Sequence, residues 1–169
     1  MSLCTGASWP GPLTAIDPDV GEGELRAALD QAVERGEYGS AAVIAGDLIN
    51  LLRIRGQVKD VLDVINQATE LTRSAGLGPW SQLSNAVQRL QVLALTGHAE
   101  EVLAEVQELR KRSRELPDEA GPPENVRPWH VQEGILDIGA YAAITSKRWQ
   151  TALDLNAENL ESARRGQPT

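Results

Sequence analysis

The stretch GSAAVIAGDLINLLRIRGQVKDVLDVINQATEL, residues 39–71, decides the fold. Its first half carries Ala41, Val43, Ile44, Leu48, Ile49, Leu51 and Leu52, apolar on nearly every face of a helix. That pattern predicts a central helix packed on several sides. Gly56 ends it, as glycine does where a chain leaves a helix through the left-handed region. The second half sets Val58, Val61, Leu62, Ile65, Ala68 and Leu71 on one stripe at three- and four-residue spacing, the signature of an amphipathic helix. A buried helix, a one-glycine turn and an amphipathic helix make an antiparallel hairpin.

Outward from this hairpin the pattern stays helical. Glu24 to Arg35 is a short amphipathic stretch with Leu25, Ala28, Leu29, Ala32 and Val33. Pro79 suits a first helical position, and Leu83, Ala86, Val87, Leu90, Leu93 and Ala94 follow it up to Gly97. Ala99, Val102, Leu103, Val106 and Leu109 form the next stripe, running out toward Leu116. Residues 117–127 read as a loop. Pro128 then opens a helix with Val131, Ile135, Ile138 and Ala142, and Trp149, Ala152, Leu153, Leu160 and Ala163 mark the last. Proline is absent between Asp19 and Gly78 and between Trp80 and Leu116. A helix-interior proline costs about 3 kcal/mol, so these gaps suit several helices. No run alternates with period two long enough for a strand. The expectation is an all-α chain of about seven helices in antiparallel pairs. Residues 1–20, rich in Gly and Pro and without periodicity, read as a tail before a helical domain over 21–166.

Composition narrows the function classes. The chain has 169 residues, enough for one domain or an array of small units. Apolar residues make up 41%, too many for full disorder. No apolar run exceeds five residues, the length of Ala41 to Ala45, far short of the roughly 20 residues of a membrane span. A net charge of -8 argues against nucleic acid and anionic membrane as partners. Cys4 is the single cysteine, which excludes an internal disulfide framework and a CxxC zinc ribbon. Met1-Ser2-Leu3 leads into neither a basic region nor an apolar one, so no secretory signal is expected and a cytoplasmic location is the default.

The turns repeat. Arg55-Gly56-Gln57-Val58-Lys59-Asp60-Val61-Leu62, Thr96-Gly97-His98-Ala99-Glu100-Glu101-Val102-Leu103 and Ser146-Lys147-Arg148-Trp149-Gln150-Thr151-Ala152-Leu153 each join a more apolar helix to a more amphipathic one. Each has two apolar positions three apart after the turn: Val58/Val61, Ala99/Val102 and Trp149/Ala152. Arg35-Gly36-Glu37-Tyr38-Gly39-Ser40-Ala41 fits the same pattern. Gly56 and Gly97 are 41 residues apart; Gly97 and Lys147 are 50 apart, and the proline-rich loop accounts for the excess. Over residues 36–165 the chain resembles a tetratricopeptide-repeat protein. Gly36-Glu37-Tyr38 and Arg148-Trp149-Gln150-Thr151-Ala152-Leu153 come closest to the family's Gly-x-Tyr-x-x-Ala turn, and Ala68 sits where its second helix carries a small residue. The longer spacing is similar to that of repeats in large actinobacterial regulators and signalling ATPases. The resemblance implies a short right-handed TPR-like solenoid acting as a protein-protein interaction scaffold.

Such a solenoid has a concave surface lined by the first helix of each pair. Aligning those helices by their turns puts Val43, Gly46, Asn50 and Arg53 beside Ser84, Val87, Gln91 and Ala94, and these beside Gly134, Asp137, Tyr141 and Ile144. Asn50, Arg53, Gln91, Asp137 and Tyr141 are the side chains suited to hydrogen-bonding a peptide or partner helix in that groove.

Other constellations are better explained structurally. His130, Glu133 and Asp137 share a helical face but lack a second ligand-bearing helix, so neither a metal nor any other cofactor is expected. Neither histidine, His98 or His130, is placed near Cys4 by the sequence, which reads as an incidental thiol. Gly21-Glu22-Gly23 and Gly76-Leu77-Gly78 follow no strand and read as helix punctuation rather than phosphate loops. Arg110-Lys111-Arg112-Ser113-Arg114 ends a helix that starts with Glu100, Glu101 and Glu105; it complements the helix dipole, with Glu101, Glu105 and Glu108 pairing one turn on. Trp80 and Trp129 each follow a helix-opening proline and read as staples between helix pairs. The preferred function is a non-enzymatic scaffold for a protein or peptide, with self-association through the solenoid ends also open. The alternative is a regulatory or sensor module that binds a small ligand between Trp80, Trp129 and Tyr141 and acts with an effector domain not on this chain.

Overall fold

A computed structural model describes residues 18–166 other than Asn125. The fold is all-α. Among the described residues seven helices follow one another: α1 (Pro18–Glu34), α2 (Tyr38–Ile54), α3 (Val58–Ser74), α4 (Pro79–Leu95), α5 (Ala99–Arg114), α6 (Pro128–Thr145) and α7 (Trp149–Gly166). Consecutive helices pack on one another, and α4 also packs on α6. The arrangement is consistent with a helical-repeat solenoid.

One backbone device makes most of the turns. Gly36, Gly56, Gly76 and Gly97 have φ between +67 and +89, the left-handed region open to glycine. The amide after each glycine donates to a carbonyl five residues back: Glu37 to Ala32, Gln57 to Leu52, Leu77 to Thr72 and His98 to Leu93, at 2.9–3.1 Å. This is the Schellman closure of a helix end. At the turn between α6 and α7 the same closure runs from Arg148 to Ala143 at 2.8 Å, with Lys147 at φ +60 in the glycine position. The similarity of the turns in sequence is therefore a similarity of backbone conformation.

The interior divides along the chain. Leu29 and Ala32 of α1 join Ala41, Leu48 and Leu52 of α2 and Val61, Ile65 and Ala68 of α3 in one cluster. Trp80, Leu83 and Leu90 of α4 join Val102 and Val106 of α5 and Ile135 and Ala142 of α6 in a second. Leu136 and Ala140 of α6 meet Leu155 of α7 in a third. Val92 of α4 extends the first cluster and Ala152 of α7 the second, so neighbouring clusters are joined along the chain. Two glycines let α6 approach closely. A Cβ on Gly139 would stand 2.8 Å from Val106 Cγ1 and 3.1 Å from Leu155 Cδ1, and one on Gly134 would stand 3.1 Å from Val87 Cγ1.

Three expectations change. Helix α1 starts at Pro18, ahead of the start expected at Glu24, and Gly21-Glu22-Gly23 lies inside it. Glu22 accounts for this: it pairs with Arg26 at 2.9 Å and with Arg55 at the end of α2, and this tie offsets the glycines' low helix propensity. The tail reading for residues 1–17 lies outside the described residues. Second, the charges of α5 pair across helices rather than along α5. Glu105 and Glu101 meet Arg89 of α4 at 2.7 and 3.1 Å, while Arg114 at 2.7 Å and Arg110 meet Glu158 of α7. Third, the two tryptophans part company. Trp80 is 1% exposed, under the loop between α5 and α6, and its Nε1 donates to the Pro117 carbonyl at 2.9 Å. Glu124 of the same loop accepts from the Ser81 amide at 2.7 Å, setting a carboxylate at the positive end of α4. Trp129 is 47% exposed and tilts against His130.

Candidate functional site

The five polar residues singled out by turn alignment sit on α2, α4 and α6. Arg53 is in the last turn of α2, where a cation complements the helix dipole. Its guanidinium donates to Gln91 Oε1 on α4 at 2.8 Å and to Asn50 Oδ1 one turn back at 3.2 Å. Guanidinium has five N–H donors, and these two bonds use part of that set while fixing its plane across the α2–α4 boundary. On α6, Asp137 accepts a 2.5 Å bond from Asn159 Nδ2 of α7. Tyr141, one turn further along α6, stays exposed.

Arg53, Gln91, Asp137 and Tyr141 wall one open concavity of about 300 Å³, together with Ala94, Leu95 and Ile138. Ala94 and Ile138 are buried and form its apolar floor, and Leu95 is exposed. Asn50 reaches the site through Arg53. Ile54 and Ile144, also exposed, belong to the same C-terminal turns of α2 and α6. An apolar floor ringed by a cation, an amide, a carboxylate and a phenol suits one apolar side chain of a partner, with backbone amides and carbonyls at the rim.

Part of the aligned row lies elsewhere. Val87 is buried against Gly134 in the α4–α6 contact and does not face the concavity. Leu95 and Ile54 are missed by the sequence reading, and Ile138 is read there only as a stripe residue of its helix. Each stands one residue past a member of the aligned row, Ala94, Arg53 and Asp137, so the turn register carries the signal.

A second, larger cavity of about 990 Å³ lies among α5, α6 and α7, with Arg110, Arg114, Trp129, Gln132, Asp154 and Glu158 in its wall. The sequence marked the basic cluster and Trp129 separately but offered nothing to join them. Here burial pushes the Glu158 carboxyl up, while hydrogen bonds and charge from Arg114 and Arg110 outweigh it and hold the pKa below the ordinary carboxylate value. Arg89, hydrogen-bonded to Glu105, is held above its ordinary value against the effect of burial. Trp80, Trp129 and Tyr141 do not share a pocket: Trp80 is core, Trp129 lines the larger cavity and Tyr141 the smaller. Trp129 and Tyr141 lie 12 residues apart on α6, about 18 Å along the helix. Among the described residues no three His, Cys, Asp or Glu side chains are grouped to hold a metal ion. Nor is any helix among them long and apolar enough to cross a membrane.

Comparison with protein-family models, with curated proteins and with solved structures finds no match.

Proposed function

We propose that this chain is a non-enzymatic, TPR-like interaction scaffold that holds a peptide or partner helix along the α2–α4–α6 face. One observation carries the reading: side chains from three successive first helices converge on one open concavity with an apolar floor. The groove residues are Asn50, Arg53, Gln91, Asp137 and Tyr141. Arg53, already oriented by Gln91 and Asn50, presents donors to peptide carbonyls. Asp137 accepts from peptide amides, and Tyr141 packs on an anchor side chain seated over Ala94 and Ile138. Preorganised polar groups of this kind add specificity because their ordering precedes binding.

The test is a random-peptide display selection on the full chain, counter-screened on Arg53→Ala/Tyr141→Ala. Enrichment of a consensus with one apolar anchor, lost on the double variant, supports the groove. Equal enrichment on both proteins removes it. A second reading is a small-ligand module acting with an effector domain not on this chain. It is favoured by the size of the α5–α7 cavity and by Trp129 and two arginines in its wall. A fragment screen read by Trp129 fluorescence, with Trp129→Phe as control, tests it: hits lost in the control support it, and hits that survive sink it.

A further inference from the structure

Helix α7 packs inward through Ala152 and Leu155 and turns Trp149, Leu153 and Leu160 outward, at 60%, 64% and 62% exposure. With Arg164, also exposed, these residues fall within about 60° of arc at 100° per residue. That is an apolar stripe, interrupted at its middle by exposed Asn156 and Ala157 and with a cation at its end, on a helix whose other face is core.

The stripe is its own complement. Reverse α7 about the point midway between Asn156 and Ala157, and Leu153 exchanges with Leu160 while Trp149 exchanges with Arg164. Two copies packed antiparallel through this face pair leucine with leucine twice. They also set a guanidinium over an indole ring twice, an attractive cation–π arrangement. Self-complementarity is what a two-fold interface demands, since residue i must meet j while j meets i. Head-to-tail stacking fits poorly. Among the described residues helix α1 shows no large exposed apolar side chain to receive the stripe.

We propose that α7 is a homodimerisation face: two copies of this chain associate reversibly through antiparallel α7 helices. The occupant is a second copy because the order of side chains along the stripe, not its apolarity alone, is symmetric. One helix face is a small interface, below the usual size of a specific complex, so the association is weak and reversible. The proposal is independent of the peptide groove, whose residues lie on other helices.

Two measurements test it on the full chain. Sedimentation velocity from 5 to about 500 µM should show a reversible monomer–dimer equilibrium. Leu153→Glu and Leu160→Glu should each weaken it at least about tenfold, and Arg164→Ala about threefold, with circular dichroism unchanged because these positions are exposed. Register is read by disulfide trapping in a Cys4→Ser background. Mixing Leu153→Cys with Leu160→Cys chains should give mainly the mixed disulfide, because identical positions in the antiparallel pair are offset by seven residues, about 10 Å along the axis. A chain that stays monomeric to 500 µM leaves the stripe to a different partner and overturns the proposal. So does a dimer insensitive to both glutamates, or trapping dominated by 153–153 pairs.

Discussion

Replacing Gly139 by alanine tests the packing account most sharply. Glycine in a helix interior is worse than alanine by about 1 kcal/mol, so a glycine at the middle of α6 needs a packing reason. The structure supplies one. The new Cβ would stand 2.8 Å from Val106 Cγ1, 3.5 Å from Val106 Cγ2 and 3.1 Å from Leu155 Cδ1, where α5, α6 and α7 meet. Overpacking of this kind costs about 1–3 kcal/mol. Set against the propensity gain, Gly139→Ala should be destabilising by about 1 kcal/mol. Gly46 of α2 is the matched control: its Cβ would meet nothing within 4 Å, so Gly46→Ala should stabilise by about 0.5–1 kcal/mol. Urea unfolding followed by far-UV circular dichroism reads both, provided the denaturant slope is unchanged. Val106→Ala alone removes two methyls from a fully buried site and should cost about 2 kcal/mol. Combined with Gly139→Ala it should cost less than the sum, by about 1 kcal/mol, because the methyl that clashes is gone. If Gly139→Ala is as stabilising as Gly46→Ala, or the double variant is simply additive, the three-helix contact is not as described.

Further predictions follow from the same structure. Lys147→Gly should raise stability by about 1 kcal/mol, since Lys147 holds a left-handed conformation that glycine adopts without penalty; thermal unfolding would show this as a rise of about 2–4 °C. Trp80→Ala should cost about 3–5 kcal/mol, through loss of a buried indole and its bond to Pro117. The same change at half-exposed Trp129 should cost under about 1 kcal/mol, and chemical denaturation of the two variants side by side tests the contrast. The folded-state pKa of Glu158 is depressed. Its contribution to stability is therefore present above the ordinary glutamate pKa and is lost as pH falls through the lower, folded value. Unfolding curves of wild type and Glu158→Gln should differ most near neutrality and converge in acid.

Legibility in the sequence followed the range of the interactions. The helices and their order were readable because a helix stripe is local and the turns need a left-handed residue, which Gly36, Gly56, Gly76 and Gly97 supply and Lys147 imitates. The start of α1 was not, because Gly21 and Gly23 look like breakers until Glu22 is seen to reach Arg55, 33 residues away. Trp80 and Trp129 occupy the same local motif, and only the loop folding back over α4 separates a core residue from an exposed one. Glu101 and Glu105 satisfied a one-turn pairing rule within α5, yet Arg89 on the neighbouring helix is the closer cation. The convergence of Arg53, Gln91, Asp137 and Tyr141 was legible because turns of one geometry keep neighbouring first helices in register. The larger cavity was not, since it needs the relative placement of α5, α6 and α7.

The central claim is that the α2–α4–α6 face is where a partner sits. An ¹H–¹⁵N NMR titration of the full chain with a display-selected peptide tests it most directly. The account predicts shift changes centred on Asn50, Arg53, Gln91, Asp137 and Tyr141 that disappear in Arg53→Ala/Tyr141→Ala. Changes confined to α7, or to the residues around Trp129 and Glu158, would contradict it.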